Sequence, residues 1–307
     1  MPTFEVCRSI RIEAPAPAVH AVVRDFRSWP KWSPWLIADP HATLAFSDDG
    51  RRYDWEGPVA GSGFLEIAGD QAPGSIDLLL TFLKPWKSTS SVGFQFAEVD
   101  GGTEVTWTMN GTLPWFMFWM KSMMAGNIGS DYDRGLSMLK ALIETGEVPS
   151  KLEFPGIAEI PATAYVGINT ECPISEISGH MEQDFDRLHE WLAESGLTPS
   201  SAPFSSVSSW SPARDRCRYT VCLPFFEAPA EAPAGFVGGT RPACRAYRVR
   251  HTGPYQHLGN AWAAGMMHAR SKVFDASKRL APFEIYESDP ENTPENELVT
   301  VVHIPAK

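Results

Sequence analysis

Positive charge is scarce in this 307-residue chain: 26 Lys and Arg stand against 37 Asp and Glu, a formal net charge of −11. The deficit runs through both halves, with 12 basic and 18 acidic residues in 1–150 and 14 and 19 in 151–307. Phosphate neutralisation dominates nucleic-acid affinity, and neither half offers the basic field it needs. No direct nucleic-acid binding is expected. Cysteine is also sparse. Cys7, Cys172, Cys217, Cys222 and Cys244 are odd in number, widely scattered and without a CxxC pair, and none of the eight histidines has a second His or Cys at ligand spacing. The expectation is no metal and no cofactor. Long apolar runs are missing too: the longest, residues 113–120, falls far short of the roughly 20 a spanning helix needs, so no membrane insertion is expected. The opening residues 1–6 lack the charged-then-apolar pattern of a signal peptide. Together with the unpaired cysteines this points to a reducing cytoplasm.

What is present is an ordinary globular composition, 43% apolar and 21% charged, on a chain long enough for two domains. The eleven tryptophans supply large contact areas, for wide cores or for aromatic-lined pockets.

Residues 4–13 read as a strand. Pro17 sits in the first turn of a following short helix whose apolar face is Val19, Val22, Val23 and Phe26. From Ala42 to Asn110 strands alternate with turn signals, 48–50 and 100–102 being the clearest turns and 75–83, 88–98 and 103–110 the clearest strands. The period then changes: Met120, Met124, Ile128, Tyr132, Leu136, Leu139 and Ile143 predict a helix from about 116 to 145. A long helix after an antiparallel meander buries its stripe in the concave face of the sheet, a helix-grip that naturally encloses a cavity. Trp55, Phe82, Trp107, Phe116, Met124 and Ile128 are candidates for its lining, with ordinary core packing the alternative for each.

The order of these elements, with Ile10-x-Ile12-x-Ala14-Pro15, the tryptophan-rich stretch 25–35, Gly102-Thr103-x-Val105-x-Trp107 and Gly135-Leu136-x-x-Leu139-Lys140, resembles the START-like SRPBCC superfamily of polyketide cyclase/dehydrase type over about 1–147. The resemblance implies a pocket for an apolar molecule, since members bind lipids, hormones or polyketides, and it specifies no reaction.

Segment 148–160 is rich in turn formers and reads as a linker. Beyond it Pro161-Ala162-x-x-Tyr165 recurs as Pro242-Ala243-x-x-Ala246-Tyr247, and Thr220-Val221 as Thr300-Val301. The spacing of about 80 predicts two α+β repeats, about 161–225 and 242–305, in a pseudo-symmetric fold. Met181, Phe185, Leu188 and Leu192 stripe the helix of the first, and Leu258, Trp262 and Met266 that of the second.

This half resembles the GyrI-like family, the effector-binding domain of AraC- and MerR-type regulators and of free-standing proteins. His251-x-Gly253-Pro254-Tyr255, Phe283-Glu284-Ile285-Tyr286, Asp289-Pro290 and Pro294-x-x-Glu297-Leu298-x-Thr300 carry the match over about 157–307. It implies that Glu284 lies in a ligand groove among aromatic side chains, pairing with cationic or polar ligands. Some relatives are reported to use that glutamate as acid/base in hydrolysing strained electrophiles. The residues alone put Glu284 and Tyr286 on one strand face, and burial statistics favour a solvated glutamate. Tyr219, Tyr255, Trp210 and Trp262 are the aromatic candidates for the groove, Trp262 being equally a core residue of its helix. Arg241, Arg245, Arg248 and Arg250 read as a solvated strand face in preference to an anion site, and His251 as structural.

The sequence thus predicts an α+β chain of two tandem small-molecule-binding domains that sequester or sense apolar, aromatic or cationic ligands. The alternative is a hydrolase of electrophilic compounds with Glu284 as its catalytic acid/base. A weaker one is interaction with gyrase or another protein partner.

Overall fold

The structure, a computed structural model, describes residues 3–84, 87–112, 115–227 and 232–307. It divides into two compact units, Met1–Pro149 and Ser150–Lys307.

In the first unit β1 (Thr3–Ile12) leads into α1 (Ala16–Arg24), followed by β2 (Thr43–Phe46), β3 (Arg52–Gly57), β4 (Gly61–Gln71), β5 (Ser75–Lys84), β6 (Ser88–Val99), β7 (Gly102–Thr112) and α2 (Lys121–Thr145). Among the described residues the strands form one antiparallel sheet in the order β1-β7-β6-β5-β4-β3-β2. The alternation seen in the sequence sets its faces: Val105, Trp107 and Met109 are buried, while Thr106, Thr108 and Asn110 face outward. α2 lays Tyr132, Leu136 and Leu139 on that inner face. It begins later than its periodicity suggests, because residues Trp115–Met120 form a tighter 3-10 turn. The centre of the core is aromatic. The Trp107 ring stacks on Tyr132 at 3.8 Å and on Phe94 at 4.9 Å, with Trp29 and Trp32 meeting it edge-on.

The second unit contains β8 (Lys151–Ile160), β9 (Thr163–Cys172), α3 (Ile177–Ser195), β10 (Phe204–Ser211), β11 (Arg216–Phe225), β12 (Val237–Arg241), β13 (Cys244–Thr252), α4 (Gly259–Arg270), β14 (Phe283–Tyr286) and β15 (Val299–Pro305). The described strands make a single sheet in the order β12-β9-β11-β10-β14-β15-β13-β8. Each repeat is therefore strand, strand, helix, strand, strand, and the two repeats exchange their leading strands: β8 pairs with β13, and β12 with β9. This corrects the reading of 148–160 as a linker, since 151–160 is a strand of the sheet. Pro155 and Gly156, which look like turn formers, make a bulge in an edge strand, where a missing N–H costs nothing and Gly156 takes φ +81°.

The exchange forces the sheet to curl. β8 and β9 are joined by Pro161-Ala162 and β12 and β13 by Pro242-Ala243, yet each pair lies six strand intervals apart. A flat sheet would separate them by about 29 Å at about 4.8 Å per strand, and the short connection spans about 11 Å. The sheet rolls until its ends meet across one face, and α3 and α4 pack on the other.

α4 differs from its expected stripe. Leu258 is buried and Trp262 half-buried, but Met266 is 38% exposed, and the face against the sheet is Ala261, Ala264, Gly265 and His268. A Cβ at Gly265 would stand 2.5 Å from Ile304 Cδ1, so the helix approaches the sheet too closely for large side chains there. A stripe of small residues leaves little hydrophobic signal in a sequence.

Candidate functional site

Strand alternation on β14 sends Glu284 and Tyr286 to the helix-covered face and Phe283 and Ile285 to the other. Glu284 sits opposite Ser205 of β10 and Val302 of β15, near the middle of the sheet. The residue is 4% exposed, and its carboxylate accepts hydrogen bonds from three neutral groups. Ser205 Oγ and Tyr286 Oη donate to Oε1 at 3.1 and 2.5 Å, and the Trp262 indole N–H donates to Oε2. No Lys, Arg or His of the described residues lies within ion-pair distance of it. Burial raises its pKa above the usual glutamate value, against the opposing pull of the three donors. Burial together with the neighbouring carboxylate pushes the Tyr286 phenol well up.

Rings surround this carboxylate. Tyr255, in the 3-10 turn that follows β13, meets Tyr286 edge-on at 5.8 Å and is 40% exposed. Phe185 of α3 meets Tyr286 edge-on at 5.3 Å from the other side. The structure therefore brings Glu284, Tyr255 and Trp262 together. A solvated glutamate, favoured by burial statistics, is not what it shows.

Two other candidates lie elsewhere. Tyr219 is fully buried beneath α3, where its hydroxyl donates to Asp184 at 3.0 Å. Trp210 is 52% exposed on β10, five residues from Ser205, about 16 Å along the strand. Ser205, Tyr286 and Phe185 complete the site and were not singled out as binding residues. Ser205 lies directly opposite Glu284 in the sheet, a pairing between strands far apart in the chain that no local pattern announces.

In the first unit Trp55 and Phe82 lie edge-to-face at 5.6 Å on β3 and β5, while Met124 and Ile128 are half-buried against the core. Trp107 is 1% exposed inside its aromatic stack. The side chain of Phe116 lies outside the described residues. An open hollow of about 390 Å³ at the strand ends is lined by Thr3, Thr89, Ser90 and Thr112. Among the described residues no cluster of His, Cys, Asp or Glu has the makings of a metal site, and no helix is long and apolar enough to cross a membrane.

The model of the GyrI-like small molecule binding domain matches residues 154–307. The chain belongs to the GyrI-like family. Residues 3–144, ahead of the GyrI-like unit, match the polyketide cyclase/dehydrase and lipid transport family. Small-molecule binding is the general function that these two matches give the chain. No curated protein matches it. Similar solved structures include the C-terminal domain of EcmrR, at 18% identity over 52% of this chain and 98% of that one, TM-score 0.43. An EcmrR–DNA complex is 17% identical over 61% of this chain and 65% of that one, TM-score 0.45. CalU16 from Micromonospora echinospora is 16% identical over 46% and 74%, TM-score 0.34.

Proposed function

We propose that the GyrI-like unit binds a small cationic aromatic molecule in the groove beside Glu284. One observation carries this reading: the carboxylate of a glutamate only 4% exposed, held by three neutral donors and lacking a cation among the described residues. A buried anion of this kind is stabilised most by a ligand that brings the missing charge. The rings of Tyr255, Tyr286 and Trp262 suit a flat cation through stacking and cation–π contact. Tyr255, the exposed ring, is the entrance. The first unit, with Trp55, Phe82, Met124 and Ile128, accommodates an apolar partner molecule of its own, and the whole chain acts as a sequestering or sensing protein.

The test compares N-methylacridinium with neutral acridine, near-isosteres at pH 7.5, by fluorescence titration of the full chain. The cation is expected to bind at least tenfold tighter. Glu284→Gln is expected to remove that preference and leave the neutral molecule little changed. Equal affinities in the native protein would sink the proposal.

A second reading is supported by the raised Glu284 pKa beside the Tyr286 hydroxyl. A carboxyl whose protonated form is favoured by burial is able to transfer a proton to a strained electrophile and then to activate water. Turnover of such a compound, abolished in Glu284→Gln, distinguishes this from binding alone.

A further inference from the structure

On the opposite face of the same sheet, the ends of the rolled strands close over a pocket of about 150 Å³. Its walls include Tyr165, Phe204, Phe283, Thr220 and Cys222, residues one step out of phase with Glu284, Ser205 and Val221. The pocket is thus separated from the Glu284 groove by the thickness of the sheet.

Arg241, the last residue of β12, lines it. Its Nη2 donates to the Pro161 carbonyl at 3.1 Å and to Thr163 Oγ1 at 2.9 Å, which anchors the guanidinium to the β8–β9 connection. The group lies 4.3 Å from the centre of the Phe283 ring and 5.5 Å from that of Phe204. Nε and Nη1 are buried with no acceptor among the described residues. Of the neighbouring arginines, Arg245 is paired with Glu159 and Arg250 with Glu153 and Glu287, while Arg248 donates to the Gly156 carbonyl. Arg241 has no carboxylate partner among the described residues, in a chain with eleven more acidic than basic groups. Burial draws its pKa down from the usual arginine value. A guanidinium carries five N–H donors, and those on Nε and Nη1 remain unused in a place shielded from bulk water, where an opposite charge interacts strongly.

We infer that this pocket is an anion site for a small aromatic monocarboxylate, its carboxylate against Arg241 and its ring against Phe204 and Tyr165. The volume equals that of about five waters, so it favours one ring over a nucleotide. The rings of Tyr165, Phe204 and Phe283 beside a single cation favour a carboxylate with a hydrocarbon body over an inorganic anion, while Ser206, Thr220 and Thr240 add hydroxyls to the lining. The inference corrects the reading of Arg241 as part of a solvated strand face, and it stands independently of the Glu284 proposal.

Isothermal titration of the full chain with benzoate and with neutral benzamide, at pH 7.5 in low chloride, tests it. Saturable one-to-one benzoate binding at least tenfold tighter than benzamide is expected. Arg241→Gln is expected to lose that difference, and Arg241→Lys to keep part of it. Ala281→Phe narrows the pocket from an exposed loop position without touching the cation. It is expected to abolish benzoate binding with the circular dichroism spectrum unchanged, so the test survives if Arg241→Gln fails to fold. Benzoate that does not bind, binds no better than benzamide, or binds Ala281→Phe as well as the native chain overturns the site.

Discussion

The indole N–H of Trp262 on α4 is bonded to the carboxylate of Glu284 on β14, joining a helix to the sheet beneath it through a buried anion. One residue thus completes the solvation of a charge and walls its groove. Trp262→Phe keeps most of the ring and removes the donor. The carboxylate then lacks one of its three donors, and the expected loss of stability is about 1–3 kcal/mol. Urea unfolding at pH 7.5 measures it, and an unchanged midpoint would show that the bond contributes little.

Glu284→Gln runs the other way. A folded-state pKa raised above the unfolded value means that the ionised form opposes folding once pH rises through the folded pKa, whereas the neutral form does not. The variant is expected to melt at the same temperature as the native chain at low pH and no lower, or higher, at pH 8. A stability penalty for keeping the charge is the pattern of a functional site.

Acid is expected to weaken the second unit through histidine. Burial lowers the pKa of both His251 and His303 to about 4. His303 stacks on Phe283 at 4.7 Å and feels Arg241 and Arg248, while His251 feels His257. Their folded pKa values are depressed below 6.5, so the unfolded chain binds more protons as pH falls. The stability they give is present above pH 6.5 and is lost between 6.5 and 4, with a slope up to about 1.4 kcal/mol per pH unit for each. Urea midpoints across that range, for the native chain and for His303→Gln, separate this contribution from that of the carboxylates.

Packing limits make two further tests. Gly265→Val places methyl groups where a Cβ alone would meet Ile304 at 2.5 Å, and overpacking of this kind costs about 1–3 kcal/mol. Trp107→Ala in the first unit empties the stack between Phe94 and Tyr132, and is expected to cost about 3–5 kcal/mol. Each is read as a shift of the urea unfolding midpoint.

Much of this molecule was determined by the sequence itself. Period-two alternation at 103–110 and the stripe from Met124 to Ile143 are local patterns, so the sheet, the long helix and the packing of one on the other followed from spacing alone. The offset of about 80 residues announced the duplication, and the family resemblance of the motif around Glu284 implied its neighbourhood. What only the tertiary structure decided are the relations between residues far apart in the chain. Nothing local tells that β8 crosses to pair with β13, because Pro155 and Gly156 carry the same signature in a bulged edge strand as in a loop. The burial of Glu284 depends on Ser205 and Trp262 arriving from β10 and α4 beside its strand neighbour Tyr286, and the isolation of Arg241 on two strand exchanges that roll the sheet around it. A charge in a sequence shows its sign; whether it meets water, a partner or neither is fixed by which surfaces the fold brings together.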